Sequence, residues 1–255
     1  MTRVACVIGW PVDRSRSPAI HNAAFEALGL DWRYERLPVP PEEGATIPDR
    51  LRAMGAEGAS VTMPHKESVI PILDAIDDVA RRIGAVNTIV ARDGGFAGHN
   101  TDADGFRRAA GDAGIALAGR DVLVLGAGGA ARAVVAALAG ARARAVVSAR
   151  RPDRSAALAE RFGATALPWE AQGAWDVLVN ATPAGDESVL WAFAGRPAVL
   201  DLVYGRPTRL LEAARAAGVQ ATDGLGMLVH QAAIAFELWT GVRAPLAVMR
   251  AAAAG

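Results

Sequence analysis

Gly126, Gly128 and Ala131 stand at G-x-G-x-x-A spacing directly after the apolar run Val122 to Leu125. Such residues at such a spacing suit one task, which is holding a pyrophosphate. Gly126 permits a tight turn, Gly128 has no side chain to keep the phosphates away, and Ala131 lets a following helix sit close to the sheet. The helix N-terminus then offers unpaired N–H groups and a partial positive charge. The alanine-rich run to about Ala139 supplies that helix. A plain strand–turn–helix packing unit is the alternative reading. The next strand, Ala145 to Ser148, leads into Ala149-Arg-Arg-Pro-Asp-Arg154. An NAD site places an acid here for the ribose 2′-hydroxyl, whereas Arg150, Arg151 and Arg154 suit a dianionic 2′-phosphate. The charge pattern therefore points to NADP rather than NAD. A solvated basic loop competes with that reading, because Arg142 and Arg144 make arginine common nearby.

A second group of polar residues lies at the ends of apolar segments: Thr62, Lys66, Asn87 and Asp102. One such residue alone is usually a cap or turn former. Four at successive element ends point to a site, since ligands of open α/β sheets bind where strands end. Ser15 and Ser17 precede a helix begun by Pro18 and running through Phe25 to Gly29. Its N-terminus suits a carboxylate, with Ser17 as a simple N-cap the alternative. Gln231 sits in the segment Gly224 to Trp239, which is apolar all round and reads as a buried helix. Its amide needs partners there, either from ligand or from a neighbouring helix.

The elements that must position these residues fall into two lobes. In the first, strands are expected at Val4–Ile8, Trp32–Val39, Ala59–Thr62, Gly84–Val90 and Phe96–Gly98, with a turn at Asp93-Gly-Gly95. Helices are expected from Pro40-Pro41 to Met54 and over 67–83, the latter broken near Asp74 to Asp78. A helix from Asp102 or Asp104 to Ala113 bridges the lobes. Strands at 121–125, 145–148, 164–167, 176–180 and 198–203 then alternate with helices, which is doubly wound topology. The chain's 255 residues suit one large or two modest domains. At 52% hydrophobic and 21% charged residues it has ample core. Its 27 basic residues balance 27 acidic ones, which gives no support for nucleic-acid binding. No uncharged apolar run reaches membrane-spanning length and Met1-Thr-Arg-Val begins no signal peptide, so a soluble cytoplasmic protein is expected. Cys6 lies in an apolar run, and neither it nor the four histidines show metal-ligand spacing, so no metal is expected.

Taken together the motifs resemble the shikimate dehydrogenase family along nearly the whole chain. They are Gly9-x-Pro-x4-Ser-x-Ser-Pro, Ser60-Val-Thr-Met-Pro-His-Lys66, Gly84-Ala-Val-Asn-Thr88 and Asn100-Thr-Asp102. Gly126-Ala-Gly-Gly-Ala130, Asn180-Ala-Thr-Pro183, Asp201-Leu-Val-Tyr204 and Gly224-x-x-Met-Leu-x-x-Gln231 follow in order. The resemblance implies an NADP-linked oxidoreductase that reversibly reduces 3-dehydroshikimate to shikimate in aromatic amino-acid biosynthesis. It implies an α/β fold of two domains with the active site in the cleft between them. Residues 1–102 with 222–255 would form the substrate domain, and 103–221 the Rossmann-like NADP domain. The enzyme would be a monomer or homodimer.

Carried onto this chain, the resemblance makes Lys66 and Asp102 the catalytic pair. Ser15, Ser17 and Tyr204 would hold the substrate carboxylate, and Thr62, Asn87, Asp102 and Gln231 would contact its hydroxyls. Gly126, Ala127, Gly128, Gly129 and Ala130 would carry the pyrophosphate, and Arg150 and Arg154 the 2′-phosphate, with Arg151 beside them. Ala181, Thr182, Gly224 and Met227 would line the nicotinamide. In such a reaction Lys66 would give or take the hydroxyl proton and, as an ammonium, stabilise the oxyanion. The chain departs from the common pattern at Ala149-Arg-Arg, at Ser60 (often Asn), at Gly185-Asp186 and at Tyr204-Gly-Arg-Pro-Thr208. A quinate or aminoshikimate dehydrogenase and a non-catalytic binding relative are the competing implications.

Overall fold

The computed structural model describes residues 1–171, 173–184 and 187–255, so the Gly185-Asp186 departure lies outside the described residues. The chain divides into two compact units, residues 1–101 with 229–255 and residues 102–228. Among the described residues, no helix is long and apolar enough to cross a membrane.

The first unit opens with β1 (Arg3–Gly9), α1 (Ser17–Ala27), β2 (Trp32–Pro38), α2 (Ile47–Met54) and β3 (Ala56–Val61). It continues with α3 (His65–Ser68), β4 (Ala75–Ile76), α4 (Asp78–Ile83), β5 (Thr88–Arg92) and β6 (Gly95–His99). The strands form one sheet in the order β2-β1-β3-β5-β6-β4. β1 lies parallel to both β2 and β3, β5 runs antiparallel to its neighbours β3 and β6, and β4 pairs with β6 in parallel. Val4 to Ile8 is buried throughout, as a central strand covered on both faces should be. Asp93 and Gly94 both take positive φ, 38° and 83°, which closes the β5–β6 hairpin where a turn was expected.

Local chemistry moved some boundaries. The expected helix from Pro40-Pro41 to Met54 is a 3-10 turn, Pro41–Thr46, followed by α2, with Pro48 in the first turn of α2. Proline lacks the N–H that a continuous helix would need there. The expected helix over 67–83 is broken more widely than foreseen. α3 ends at Ser68, Ile70–Ile72 with Pro71 is a 3-10 turn, and α4 starts afresh where the Asp77 carboxylate accepts the Ala80 N–H at 2.6 Å. β5 begins at Thr88 rather than Gly84, because Gly84 (φ 72°) is the left-handed cap of α4.

The second unit contains α5 (Asp102–Asp112), β7 (Asp121–Leu125), α6 (Gly129–Gly140), β8 (Arg144–Ser148), α7 (Pro152–Phe162), β9 (Thr165–Leu167) and β10 (Val177–Asn180). β11 (Ala198–Asp201), α8 (Arg209–Ala216) and β12 (Ala221–Thr222) follow. All strands are parallel, in the order β12-β11-β10-β7-β8-β9. This is the doubly wound arrangement, with its change of winding direction between β7 and β10. The pleat of β7 explains its unbroken apolar sequence. Val122 and Val124 join one core with Phe106, Val134, Leu138 and Leu158, whereas Leu123 and Leu125 join another with Val189, Leu210 and Leu211.

The helix α9 (Leu225–Thr240) begins in the second unit, and from Val229 its residues belong to the first. There Trp239 donates its indole N–H to the Ile89 carbonyl at 2.9 Å. Its ring lies 2.3 Å from where a Cβ on Gly58 would stand, so any larger residue there would displace the ring. The last helix, α10 (Leu246–Ala254), packs on α1, and the Arg16 guanidinium donates to the Ala253 carbonyl.

Candidate active site

In the first unit, two loops leave neighbouring strand ends. Thr62 N–H donates to the Ile8 carbonyl at 2.8 Å and Trp10 N–H to the Met63 carbonyl at 2.9 Å. These bonds continue the β1–β3 pairing past the strands and set the loop carrying Ser15 and Ser17 beside that carrying Thr62 and Lys66. Arg36 on β2 holds both ends of the serine turn, with Nε donating to the Val12 carbonyl at 3.2 Å and Nη2 to that of Ser15 at 2.9 Å. Ser17 is not the N-cap the sequence suggested. It is the first helical residue, after an Arg16 that already has helical backbone angles, and the Ser15 hydroxyl accepts its N–H at 3.3 Å. Ser15 is half-buried and Ser17 buried.

The Thr62–Lys66 loop is pinned by the buried His65, whose Nε2 meets the Val39 carbonyl at 2.7 Å. Lys66, half-buried, accepts the Val86 N–H at its own carbonyl at 2.7 Å, which ties it to the segment entering Asn87. Asn87 is 2% exposed and forms the centre of a polar cluster. Its Oδ1 accepts the Thr101 N–H at 2.7 Å, and its Nδ2 donates to Thr101 Oγ1 at 2.9 Å and to Gln231 Oε1 at 3.2 Å. Gln231 therefore bonds to Asn87, and the interhelical alternative does not describe this contact. Ser60, at the position where asparagine is frequent, accepts a hydrogen bond of 2.7 Å from the buried Tyr34 phenol. Thr101 was missed as a positioning residue; its only sequence signal was its place between Asn100 and Asp102.

In the second unit, Gly126 takes φ 108°, and a Cβ there would lie 3.1 Å from the Ala181 carbonyl and 3.2 Å from Thr182 Cγ2. Gly126, Ala181 and Thr182 thus gather where β7 and β10 end, at the change of winding direction. Gly128 caps α6, and nothing lies within 4 Å of the Cβ it lacks. With Gly129 and Ala130 starting the helix, this is an open N-terminal cradle of the kind a pyrophosphate fills. Ala131 is wholly buried behind it. Arg150, Arg151 and Arg154 are exposed after β8. Arg151 pairs with Asp153 at 3.0 Å, and that hydrogen bond holds the Asp153 carboxyl below the usual range. Arg150 and Arg154 have no ion pair among the described residues. The acid of this loop is thus engaged by its own arginine, and the donor set fits a 2′-phosphate better than a diol.

Asp102 is the first residue of α5 and is buried. Tyr204 is half-buried in the turn after β11. Gly224 is sterically required, since a Cβ would stand 2.1 Å from the Leu202 carbonyl. Met227 is buried in the core that carries Val122 and Val124. Among the described residues no cluster of histidine, cysteine and acidic side chains could hold a metal.

Comparison with known proteins shows the family of the chain. The family model for the shikimate dehydrogenase substrate binding domain matches residues 7–89, and that for the shikimate 5′-dehydrogenase C-terminal domain matches residues 224–254. A relative from Citrifermentans bemidjiense, named shikimate dehydrogenase (NADP(+)), is 44% identical over 277 residues, covering 99% of this chain and 95% of its own. The structure of shikimate 5-dehydrogenase from Thermus thermophilus in complex with NADP(H) and shikimate superposes with a TM-score of 0.90 at 42% identity, covering 99% of this chain and 98% of that one. Quinate dehydrogenase from Corynebacterium glutamicum, in complex with NAD, has a TM-score of 0.88 at 32% identity, with 98% of both chains covered.

Proposed function

Because the chain belongs to the shikimate dehydrogenase family, we propose that it is the NADP-dependent enzyme that interconverts 3-dehydroshikimate and shikimate. The observation that carries this reading is the bond between the Lys66 carbonyl and the Val86 N–H, which sets the one lysine of the site next to the Asn87 cluster. A secondary alcohol needs both in reach: a group that exchanges the hydroxyl proton and polar groups that fix the ring hydroxyls. Bound NADPH supplies the hydride.

Ser15, Ser17 and Tyr204 take the substrate carboxylate, and Thr62, Asn87 and Gln231 take hydroxyls. Lys66 gives a proton to the carbonyl oxygen as the alcohol forms, and takes it back in the reverse direction. As an ammonium it stabilises the developing oxyanion. Asp102 orients Lys66 and accepts a hydrogen bond from the reacting or neighbouring hydroxyl. Residues 126–130 receive the pyrophosphate, Arg150 and Arg154 the 2′-phosphate with Arg151 adjoining, and Ala181, Thr182, Gly224 and Met227 the nicotinamide. We place the enzyme in the cytoplasm as a monomer or homodimer.

The test is absorbance at the NADPH band with shikimate or quinate, each with NADP or NAD. Rapid reduction of NADP by shikimate alone is the expected result. Equal or better turnover of quinate, or with NAD, overturns the assignment and the reading of the arginines. In the same assay Lys66→Ala should lose at least about 10³-fold in kcat with KM for shikimate little changed. A raised KM with normal kcat would reduce Lys66 to a binding group.

A further inference from the structure

Asp201 ends β11 with its side chain wholly buried, and the reaction above gives it no task. A buried carboxylate must be matched by donors. Asp201 has them from three segments. Its Oδ1 accepts from Asn180 Nδ2 at 2.9 Å and from the Val203 N–H at 3.1 Å, and its Oδ2 accepts from the Thr208 hydroxyl at 2.7 Å. Burial nonetheless pushes its pKa up.

Each partner governs a different piece of backbone. Asn180 ends β10 in register with Asp201, and its Oδ1 accepts the N–H of Thr182 at 3.1 Å and the Thr182 hydroxyl at 2.7 Å. Its Nδ2 also donates to the Ala184 carbonyl. Asn180 thus shapes the turn carrying Ala181 and Thr182, which faces Gly126. Val203 precedes Tyr204, and its carbonyl accepts the Gly224 N–H at 3.2 Å. Thr208 caps α8 by accepting the Leu211 N–H at 3.2 Å. One side chain therefore joins the turn on the nucleotide side to the turn that carries Tyr204.

We propose that Asp201 is a positioning residue of this enzyme, which sets the Thr182 turn for the nicotinamide and the Tyr204 turn for the substrate carboxylate through one carboxyl group. The proposal rests on the roles given above to Thr182 and Tyr204. It requires the two ligands to respond together to Asp201 and separately to its partners.

Steady-state kinetics of the full chain with shikimate and NADP test it. Asp201→Ala should raise KM for both ligands about ten-fold, which is about 1.4 kcal/mol for each. Asp201→Asn keeps the oxygen that serves Asn180 and Val203, and should recover most of that loss. Asn180→Ala should raise KM for NADP alone. Thr208→Val weakens the cap of α8 and should lower Tm with both KM values within two-fold of wild type. That contrast separates positioning from mere stability. Unshifted KM values in a folded Asp201→Ala, or no recovery in Asp201→Asn, overturn the proposal. Should Asp201→Ala not fold, Asn180→Ala decides, and an unchanged KM for NADP there overturns it. Wild-type turnover in the same assay is read separately. Its absence overturns the assigned reaction, whereas an active wild type with unshifted variants overturns only the role of Asp201.

Discussion

His21 is fully buried on α1, one turn after Ser17, and neither ring nitrogen has a hydrogen-bond partner among the described residues. Its ring stacks on Tyr34 at 4.4 Å between centroids and lies near Trp239 at 5.0 Å. Burial lowers its pKa from 6.5 to about 3, so the folded protein holds the imidazole neutral. The unfolded chain binds a proton there between those two values and the folded chain does not. Stability from this group is therefore complete above pH 6.5 and falls as pH drops toward 3. At about 1.4 kcal/mol per pH unit, the protein should be about 2 kcal/mol less stable at pH 5 than at pH 8. Urea unfolding across that range checks the slope, and His21→Phe should flatten it; the same slope in both proteins would rule His21 out as its source. Part of the site is hard to read from the sequence. Lys66 and Asn87 stand out in the sequence as polar residues at element ends and Gln231 as an amide in an apolar segment, but Thr101 and Asp201 look like ordinary turn formers. Their partners lie at distant positions, 14 residues away for Asn87–Thr101 and 21 for Asn180–Asp201, and only the fold brings them together.

The unit of β7, glycine turn and α6 was the most legible element, because one pattern served both local and tertiary demands. The strand is apolar without alternation since both faces are covered, and Gly126 takes a backbone angle, φ 108°, that residues with a Cβ rarely adopt. The stretch between β3 and β5 was the least legible. Its short apolar runs fit a helix period, but Pro71 and the capping Asp77 divide them, and the 2-residue β4 leaves no period to detect. The two glycines of the turn predict different failures. Gly126→Ala is strained at φ 108° and crowds the Ala181 carbonyl, so it should lower Tm as well as activity. Gly128 has extended backbone angles, φ −86° and ψ −173°, and open space at its absent Cβ. Gly128→Val should cost only about 1 kcal/mol of helix capping, yet raise KM for NADP by more than ten-fold. Nucleotide titration alongside a thermal melt distinguishes the two, and normal NADP affinity in folded Gly128→Val would show that the pyrophosphate lies elsewhere.

At the scale of the molecule, the first unit is built from two stretches of chain separated by the whole of the second. The return stretch completes the first unit's core. Phe236 and Met249 are wholly buried, Trp239 fills the space over Gly58, and Gln231 completes the cluster at Asn87. Three large apolar side chains at about 2–3 kcal/mol each come close to the entire stability margin of a domain, about 5–15 kcal/mol. Residues 1–101 alone should therefore lack a cooperative unfolding transition. The same residues joined to 229–255 through a flexible linker of about twelve residues, with the second unit deleted, should regain one. Near-ultraviolet circular dichroism is the appropriate readout, because Trp239 sits in an asymmetric setting against Tyr34 and His21. A cooperative melt from residues 1–101 alone would mean that α9 and α10 only decorate a self-sufficient sheet. In the joined chain, a Gly58→Ala variant should melt cooperatively only at lower temperature, since its Cβ meets the Trp239 ring; an unchanged melt would show that the returning helix had not docked on β3.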